Sequence, residues 1–346
     1  MEENNNALTP LSKIGEFGLI DLISKGITFK HPQTVKSIGD DAAVLDPKNK
    51  KILISSDLLT EGIHFDLSYV PLRHLGYKSA IVNFSDMYAM NAQPAQLVLN
   101  IALPPKFTVE AVEEFYKGVH HACEHYGVEL IGGDTSSTLG GLFISATIIG
   151  YANEEDIVYR SNAKPMDLLC VTGDLGGAYA GLRLLEREKK IFKENPNIQP
   201  DLSGNDYILE RQLKPEARKD IFTLFKELGI KPTAMMDVSD GLASEISHIC
   251  KASNVGAHIY LNRIPIDSST ATFLEELNVH PAIAALNGGE DYELLFTIDQ
   301  KDHAKIDKNP DITILGYITD ASQGMNIETP DGRVSNMEAD GWNAFK

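Results

Sequence analysis

The sequence predicts two mixed units of helix and strand in series, and three observations carry that expectation. The chain has 346 residues, which at roughly 100–200 residues per domain provides for two. Strand-like and helical runs alternate through both halves. A polar stretch closed by proline, Asn162-Ala163-Lys164-Pro165, reads as a linker between them. Hydrophobic residues make up 43% of the chain and charged residues 23%, so each unit can bury a core. That composition excludes a disordered tail, a collagen-like fibre and a disulfide miniprotein.

In chain order, a polar start leads into an amphipathic helix at about 11–24. Strands follow at 42–45 and 51–55, separated by the turn Asp46-Pro47-Lys48-Asn49. A long helical stretch, 72–90, precedes a strand at 96–102. Pro104 and Pro105 break the chain there, and a helix covers 109–125, with strands at 129–131 and 142–150. Past the linker, a strand at 167–171 turns through the glycines of 173–177 into a helix reaching residue 185. The stretch 189–205, rich in Lys, Asn, Pro and Gly, reads as an exposed loop. Helices are expected at 215–228, 242–253 and 269–277, and strands at 234–237, 258–261, 293–297 and 313–318.

Asp and Glu outnumber Lys and Arg by 49 to 31, a formal net charge of −18. Such a chain repels nucleic acid and anionic membrane, so no partner of either kind is expected. If it handles phosphates, it does so by recruiting divalent cations. Cys123, Cys170 and Cys250 are scattered, which argues for reduced thiols and against a structural zinc. The start lacks the basic and apolar regions of a signal peptide, and no run approaches the roughly 18 apolar residues of a membrane helix. A soluble, cytoplasmic protein is expected.

The acidic residues fall into motifs beside glycine or serine. These are Gly39-Asp40-Asp41, Ser55-Ser56-Asp57 at a strand end, Asn83-Phe84-Ser85-Asp86 on the long helix, Gly132-Gly133-Asp134-Thr135 after a strand, Asp237-Val238-Ser239-Asp240-Gly241 between strand and helix, and Gly288-Gly289-Glu290-Asp291 before a strand. Oxygen-only donors of this kind suit a hard cation, Mg²⁺ above all, which keeps waters and substrate phosphate oxygens in its shell. Each motif taken singly also serves as a helix cap or a turn. Together they favour metal and phosphate. No GxxxxGK[ST] loop, protein-kinase signature, GxSxG elbow or HExxH helix is present. The turn Thr172-Gly173-Asp174-Leu175-Gly176-Gly177 lacks the GxGxxG spacing of a dinucleotide loop.

In this order the motifs, with Glu61-Gly62-Ile63-His64-Phe65 and the continuation of the last one through Tyr292-Glu293-Leu294, closely resemble the bacterial thiamine-monophosphate kinase family. The family sits in the aminoimidazole ribonucleotide synthetase-related superfamily, and the likeness runs from about residue 15 to Trp342. It implies ATP-dependent phosphorylation of thiamine monophosphate to thiamine diphosphate, by direct in-line transfer of the γ-phosphoryl group with Mg²⁺, as the last step of thiamine diphosphate biosynthesis. The implied fold is α+β and two-domain. An N-terminal sheet and helix domain (1–160) binds ATP and Mg²⁺ and forms a barrel across a homodimer, and a C-terminal α/β domain (161–346) completes the substrate site.

Carried over residue by residue, the resemblance makes Asp41, Ser55, Ser56, Asp57, Asp86, Asp134, Asp237 and Asp240 the Mg²⁺ ligands. Gly133, Asp134, Arg160 and Ser239 become ATP contacts, and His64, Glu290 and Trp342 contacts to thiamine monophosphate. No general base is expected, because a phosphate acceptor with a second pKa near about 6 is already largely deprotonated at neutral pH. Phe84 and Tyr88 depart from the family's usual Leu and small residue, 189–205 is longer than usual, and Ala344 stands where His is common. Selenophosphate synthetase expects an N-terminal Cys, and the hydrogenase maturation factor a C-terminal Cys; both are missing here.

Overall fold

The computed structural model describes residues 8–25, 30–38 and 43–338. They fall into two compact units, Met1–Met87 with Gln93–Asn153, and Tyr88–Ala92 with Glu154–Lys346. The first carries α1 (Gly15–Ile23), β1 (Thr34–Lys36), β2 (Val44–Leu45), β3 (Lys51–Thr60), α2 (Leu72–Ala89, whose last turn lies in the second unit), β4 (Gln93–Leu103), α3 (Val109–Tyr126), β5 (Glu129–Gly132), β6 (Thr135–Ser137) and β7 (Phe143–Ala152). Its main sheet runs β3-β7-β4-β5, with β6 also paired to β4.

Strand β4 accepts β5 along its first half and β6 along its second, both in parallel. The chain therefore returns through α3 to reach β5 in the same direction, as a parallel pair requires. Helix α3 starts where Thr108 accepts a bond from the Ala111 amide and stops at Gly127, whose φ of 73° suits glycine. Its apolar positions Val112, Phe115, Val119, Ala122 and Tyr126 recur at three- and four-residue spacing and are buried. Helix α2 is buried nearly all round, polar members included. Ser79 and Asn83 answer burial with bonds back to the Leu75 and Ser79 carbonyls. The two helices meet at Gly76 and Gly118, where an added Cβ would stand 1.9 Å from the Phe115 and Arg73 carbonyl oxygens respectively. The unusual aromatics pack well: Phe84 lies against Tyr126 and Tyr88 against Phe222, both fully buried.

The second unit carries β8 (Leu168–Thr172), α4 (Gly177–Glu194), α5 (Asp206–Leu213), α6 (Lys219–Leu228), β9 (Ala234–Asp237), α7 (Leu242–Ser253), β10 (Val255–Tyr260), α8 (Ser268–Glu276), α9 (Pro281–Asn287), β11 (Leu294–Ile298), α10 (His303–Ile306), β12 (Ile312–Asp320), β13 (Met325–Glu328) and β14 (Val334–Asn336). Its sheet runs β14-β13-β10-β12-β8-β11-β9, antiparallel except between β10 and β13. Central strand β8 is covered on both faces. Leu169 and Val171 join the core of α7, and Cys170 joins that of Phe225 and Phe296. The three cysteines are unbonded and buried.

Three expectations change. The strand begun at 51 continues to Thr60, so Ser55-Ser56-Asp57 lies within a strand rather than at its end. Helix α4 runs to Glu194 and α5 starts at Asp206, which shortens the expected loop. Short strands β1, β6, β13 and β14 were not legible, because tertiary pairing rather than a local apolar run makes them, and helices α5 and α9 were not expected either.

Candidate active site

The first unit supplies one group of candidates. Along β3 the side chains alternate. Ser55, Asp57 and Leu59 take one face, while Ile54, Ser56 and Leu58 take the other, which is exposed. Ser55 Oγ donates to Asp86 Oδ2 at 2.6 Å, tying β3 to α2. Asp86 is the partly accessible position in an otherwise buried run of α2. Ser56 is not brought to this group: its hydroxyl donates to the Ala146 carbonyl at 3.0 Å and meets Thr147 Oγ1 at 2.8 Å. Asp134 is exposed in the bridge between β5 and β6, and its carbonyl accepts the Ile101 amide at 2.9 Å. Gly133 beside it lies flat on β4, where a Cβ would stand 1.9 Å from the Leu99 oxygen. His64, in the turn after β3, accepts the Thr60 amide at Nδ1, 3.0 Å away. That bond assigns the proton of the neutral ring to Nε2.

The second unit builds another group from two loops laid side by side. Val238 donates to the Glu293 carbonyl at 2.8 Å, Glu290 to the Ser239 carbonyl at 2.7 Å, and Tyr292 to the Val238 carbonyl at 2.9 Å. Gly241 and Gly289 permit the approach, with φ of 113° and 70° and no room for a Cβ. The loops thereby bring Asp237, Ser239, Asp240 and Glu290 into one neighbourhood. Burial raises the Asp240 pKa, His248 and Arg160 oppose that shift, and Glu290 adds to it. Arg160 is exposed, and its own carbonyl accepts from Ser253 Oγ at 2.8 Å.

Sequence reasoning missed Glu245, in the first turn of α7. Its Oε1 accepts the amides of Ser239 at 3.0 Å and Asp240 at 2.7 Å, so these two amides are already engaged. Burial pushes its pKa up to about 7, against those amides and with the Asp240 and Asp237 carboxylates adding to the rise. The available signal was an acidic residue early in a helix after Asp-Gly, the pattern of a side chain reaching back to cap. Arg211 and Arg218 were also missed, and Glu293, though quoted within the Gly288–Leu294 motif, was given no role. Glu293 is buried between Arg211 Nη1 at 3.0 Å and Arg218 Nη1 at 2.5 Å, and such distant pairings leave no local signal.

Asp41 and Trp342 lie outside the described residues, as does Asp40. Among the described residues no group of three or more His, Cys, Asp or Glu is arranged to hold a metal alone. The donor set fits Mg²⁺ and not zinc. It is all oxygen, and Mg²⁺ takes one or two carboxylates while waters and phosphate oxygens complete its shell. Burial raises the pKa values of Asp240 and Glu245 and the neighbouring carboxylates add to the rise, a crowding of negative charge of the kind a divalent cation relieves.

Comparison with known proteins fixes the class. The AIR synthase related protein N-terminal domain matches residues 39–152 and the corresponding C-terminal domain residues 165–325, so the chain is a two-domain AIR synthase related protein. A thiamine-monophosphate kinase of Aquifex aeolicus is 36% identical over 337 residues, 97% of this chain and 99% of that one. That of Buchnera aphidicola from Schizaphis graminum is 39% identical over 321 residues, 90% and 93%. The chain belongs to the thiamine-monophosphate kinase family. Among solved structures, AaThiL complexed with AMPPCP and TMP has a TM-score of 0.72 at 34% identity, covering 97% of this chain and 98% of that one. The thiamine-monophosphate kinase of Stenotrophomonas maltophilia K279a has a TM-score of 0.77 at 30% identity, covering 94% and 98%. The hydrogenase maturation protein HypE shares the fold at 17% identity, with a TM-score of 0.71 over 94% and 98% of the two chains. No helix among the described residues is long and apolar enough to cross a membrane.

Proposed function

We propose that this chain transfers the γ-phosphoryl group of ATP directly to the phosphate of thiamine monophosphate, giving thiamine diphosphate and ADP, the last step of thiamine diphosphate biosynthesis. The observation that carries the reading is family membership across nearly the whole chain, including every acidic motif described above. A complex of a 34% identical relative with an ATP analogue and TMP supports the pair of substrates.

Residues 1–160 form the ATP and Mg²⁺ domain and 161–346 the second domain. Asp41, Ser55, Asp57, Asp86 and Asp134 of the first would hold Mg²⁺, as would Asp237 and Asp240 of the second, while the Ser56 hydroxyl is engaged by Ala146 and Thr147. Bound Mg²⁺ supplies charge neutralisation between two polyanions. Gly133, laid flat on β4, meets ATP through its main chain. Asp134, Arg160 and Ser239 complete the ATP contacts. His64 offers Nε2–H to the substrate phosphate, while Glu290 and Trp342 meet the thiamine. The acceptor oxygen is already deprotonated, so positioning replaces a general base. The net charge of −18 speaks against nucleic-acid or membrane partners, and the scattered thiols support a cytoplasmic site of action.

Asp86→Asn and Asp134→Asn test this reading. Each removes a ligand charge and is expected to lower kcat by about two orders of magnitude or more with the fold intact by circular dichroism. Near-normal turnover in both variants would contradict the metal assignment.

A further inference from the structure

We infer that two adjacent residues of α5, Arg211 and Gln212, are positioning residues for Glu290, an inference that rests on the reading of Glu290 as a substrate contact. Glu290 and Tyr292 hold φ of 60° and 52°, a left-handed backbone that L side chains keep only where their surroundings determine it. Part of that determination comes from Arg211, whose side chain is 15% exposed. Its Nη2 donates to the carbonyls of Asp291 at 3.2 Å and Asp174 at 2.9 Å, and its Nη1 to Glu293 Oε1 at 3.0 Å. One planar guanidinium thus joins the Gly288–Leu294 loop to the turn that precedes α4. Asp291 strengthens the same junction by accepting the Gly176 amide at 2.8 Å.

Gln212 acts on the side chain where Arg211 acts on the main chain. It is buried, and its Nε2 donates to Glu290 Oε2 at 3.1 Å. Gly177 and Gly181 bring α5 this close to α4. A Cβ at Gly181 would stand 2.1 Å from the Ile208 oxygen and 2.8 Å from Gln212 Cβ, and one at Gly177 3.0 Å from Arg211 Cγ. A neutral amide orients a carboxylate without pairing off its charge. The oriented charge suits a ligand with a cationic thiazolium and an exocyclic amino group, so Gln212 governs affinity for the thiamine moiety and not for ATP.

Steady-state kinetics on the full chain test this. Gln212→Leu is expected to raise KM for thiamine monophosphate about tenfold or more, with KM for ATP changed less than about twofold and Tm near that of the parent. Gln212→Glu, which keeps the shape and replaces the donor by an acceptor, is expected to give the same split and serves if the leucine variant does not fold. Combining Gln212→Leu with Glu290→Gln should cost little beyond Glu290→Gln alone. The inference is overturned if Gln212→Leu raises both KM values together, or leaves KM for thiamine monophosphate unchanged while Glu290→Gln raises it. An unchanged KM in Glu290→Gln itself would overturn the underlying reading of Glu290, and this inference with it.

Discussion

At Gly133 the main chain lies against the carbonyl of Leu99, and an added Cβ would stand 1.9 Å from that oxygen, whereas a Cβ at Gly132 meets nothing within 4 Å. Two adjacent glycines therefore have unequal roles. Gly133→Ala is expected to cost at least about 1–3 kcal/mol in urea unfolding and to lower activity by moving Asp134, while Gly132→Ala should be near neutral for stability. Equal stability losses in the two variants would contradict the packing argument. The Gly-Gly-Asp motif was legible as a turn, but which glycine is strict depends on Leu99, 34 residues away. The same holds for Ser55 and Ser56. They look alike in sequence, and only strand periodicity plus the bond to Asp86 assigns Ser55 to the site.

Elements were legible where local pattern decides them. Helix α3 announces itself through Thr108, its apolar spacing and Gly127, and its expected span of 109–125 differs by one residue from Val109–Tyr126. Strand β3 was underestimated because Ser55-Ser56-Asp57 reads as a polar break, although ten residue pairs join it to β7. Helix α3 also anchors Thr9. Both Glu110 carboxylate oxygens accept the Thr9 amide at 2.9 Å, and the Thr9 side chain together with that amide holds the Glu110 pKa down to about 2, from 4.5. A depressed acid contributes stability that is complete above its unfolded pKa and fades as pH falls toward its folded one. The Tm difference between the parent and Glu110→Gln should therefore be constant near neutrality and shrink from about pH 4.5 toward about 2. A difference that does not vary with pH over that window would contradict the role given to the carboxylate.

For the whole molecule, the division into two mixed units was readable from length and alternation, whereas the stretch expected as a linker, Asn162-Ala163-Lys164-Pro165, lies within the second unit. Which strands pair across each sheet was not, since pairing register is a long-range property. Among the described residues, one face of the first unit's sheet is also bare along β3. Ile52, Ile54 and Leu58 are 48%, 66% and 57% exposed on β3, a concentration of apolar surface that marks an interaction site. The homodimer implied by the family resemblance would join its two sheets through these faces. Sedimentation equilibrium should then give the mass of two chains for the parent and of one for Ile54→Lys combined with Leu58→Lys. A monomeric parent would contradict the dimer.

The central claim concerns chemistry, and phosphorus NMR of the reaction products tests it most directly. With ATP, MgCl₂ and thiamine monophosphate, the thiamine monophosphate resonance should give way to the two coupled resonances of thiamine diphosphate as ADP appears in equal amount, and EDTA should abolish both. Untouched ATP, or ADP accompanied by inorganic phosphate with no thiamine diphosphate, would contradict the account.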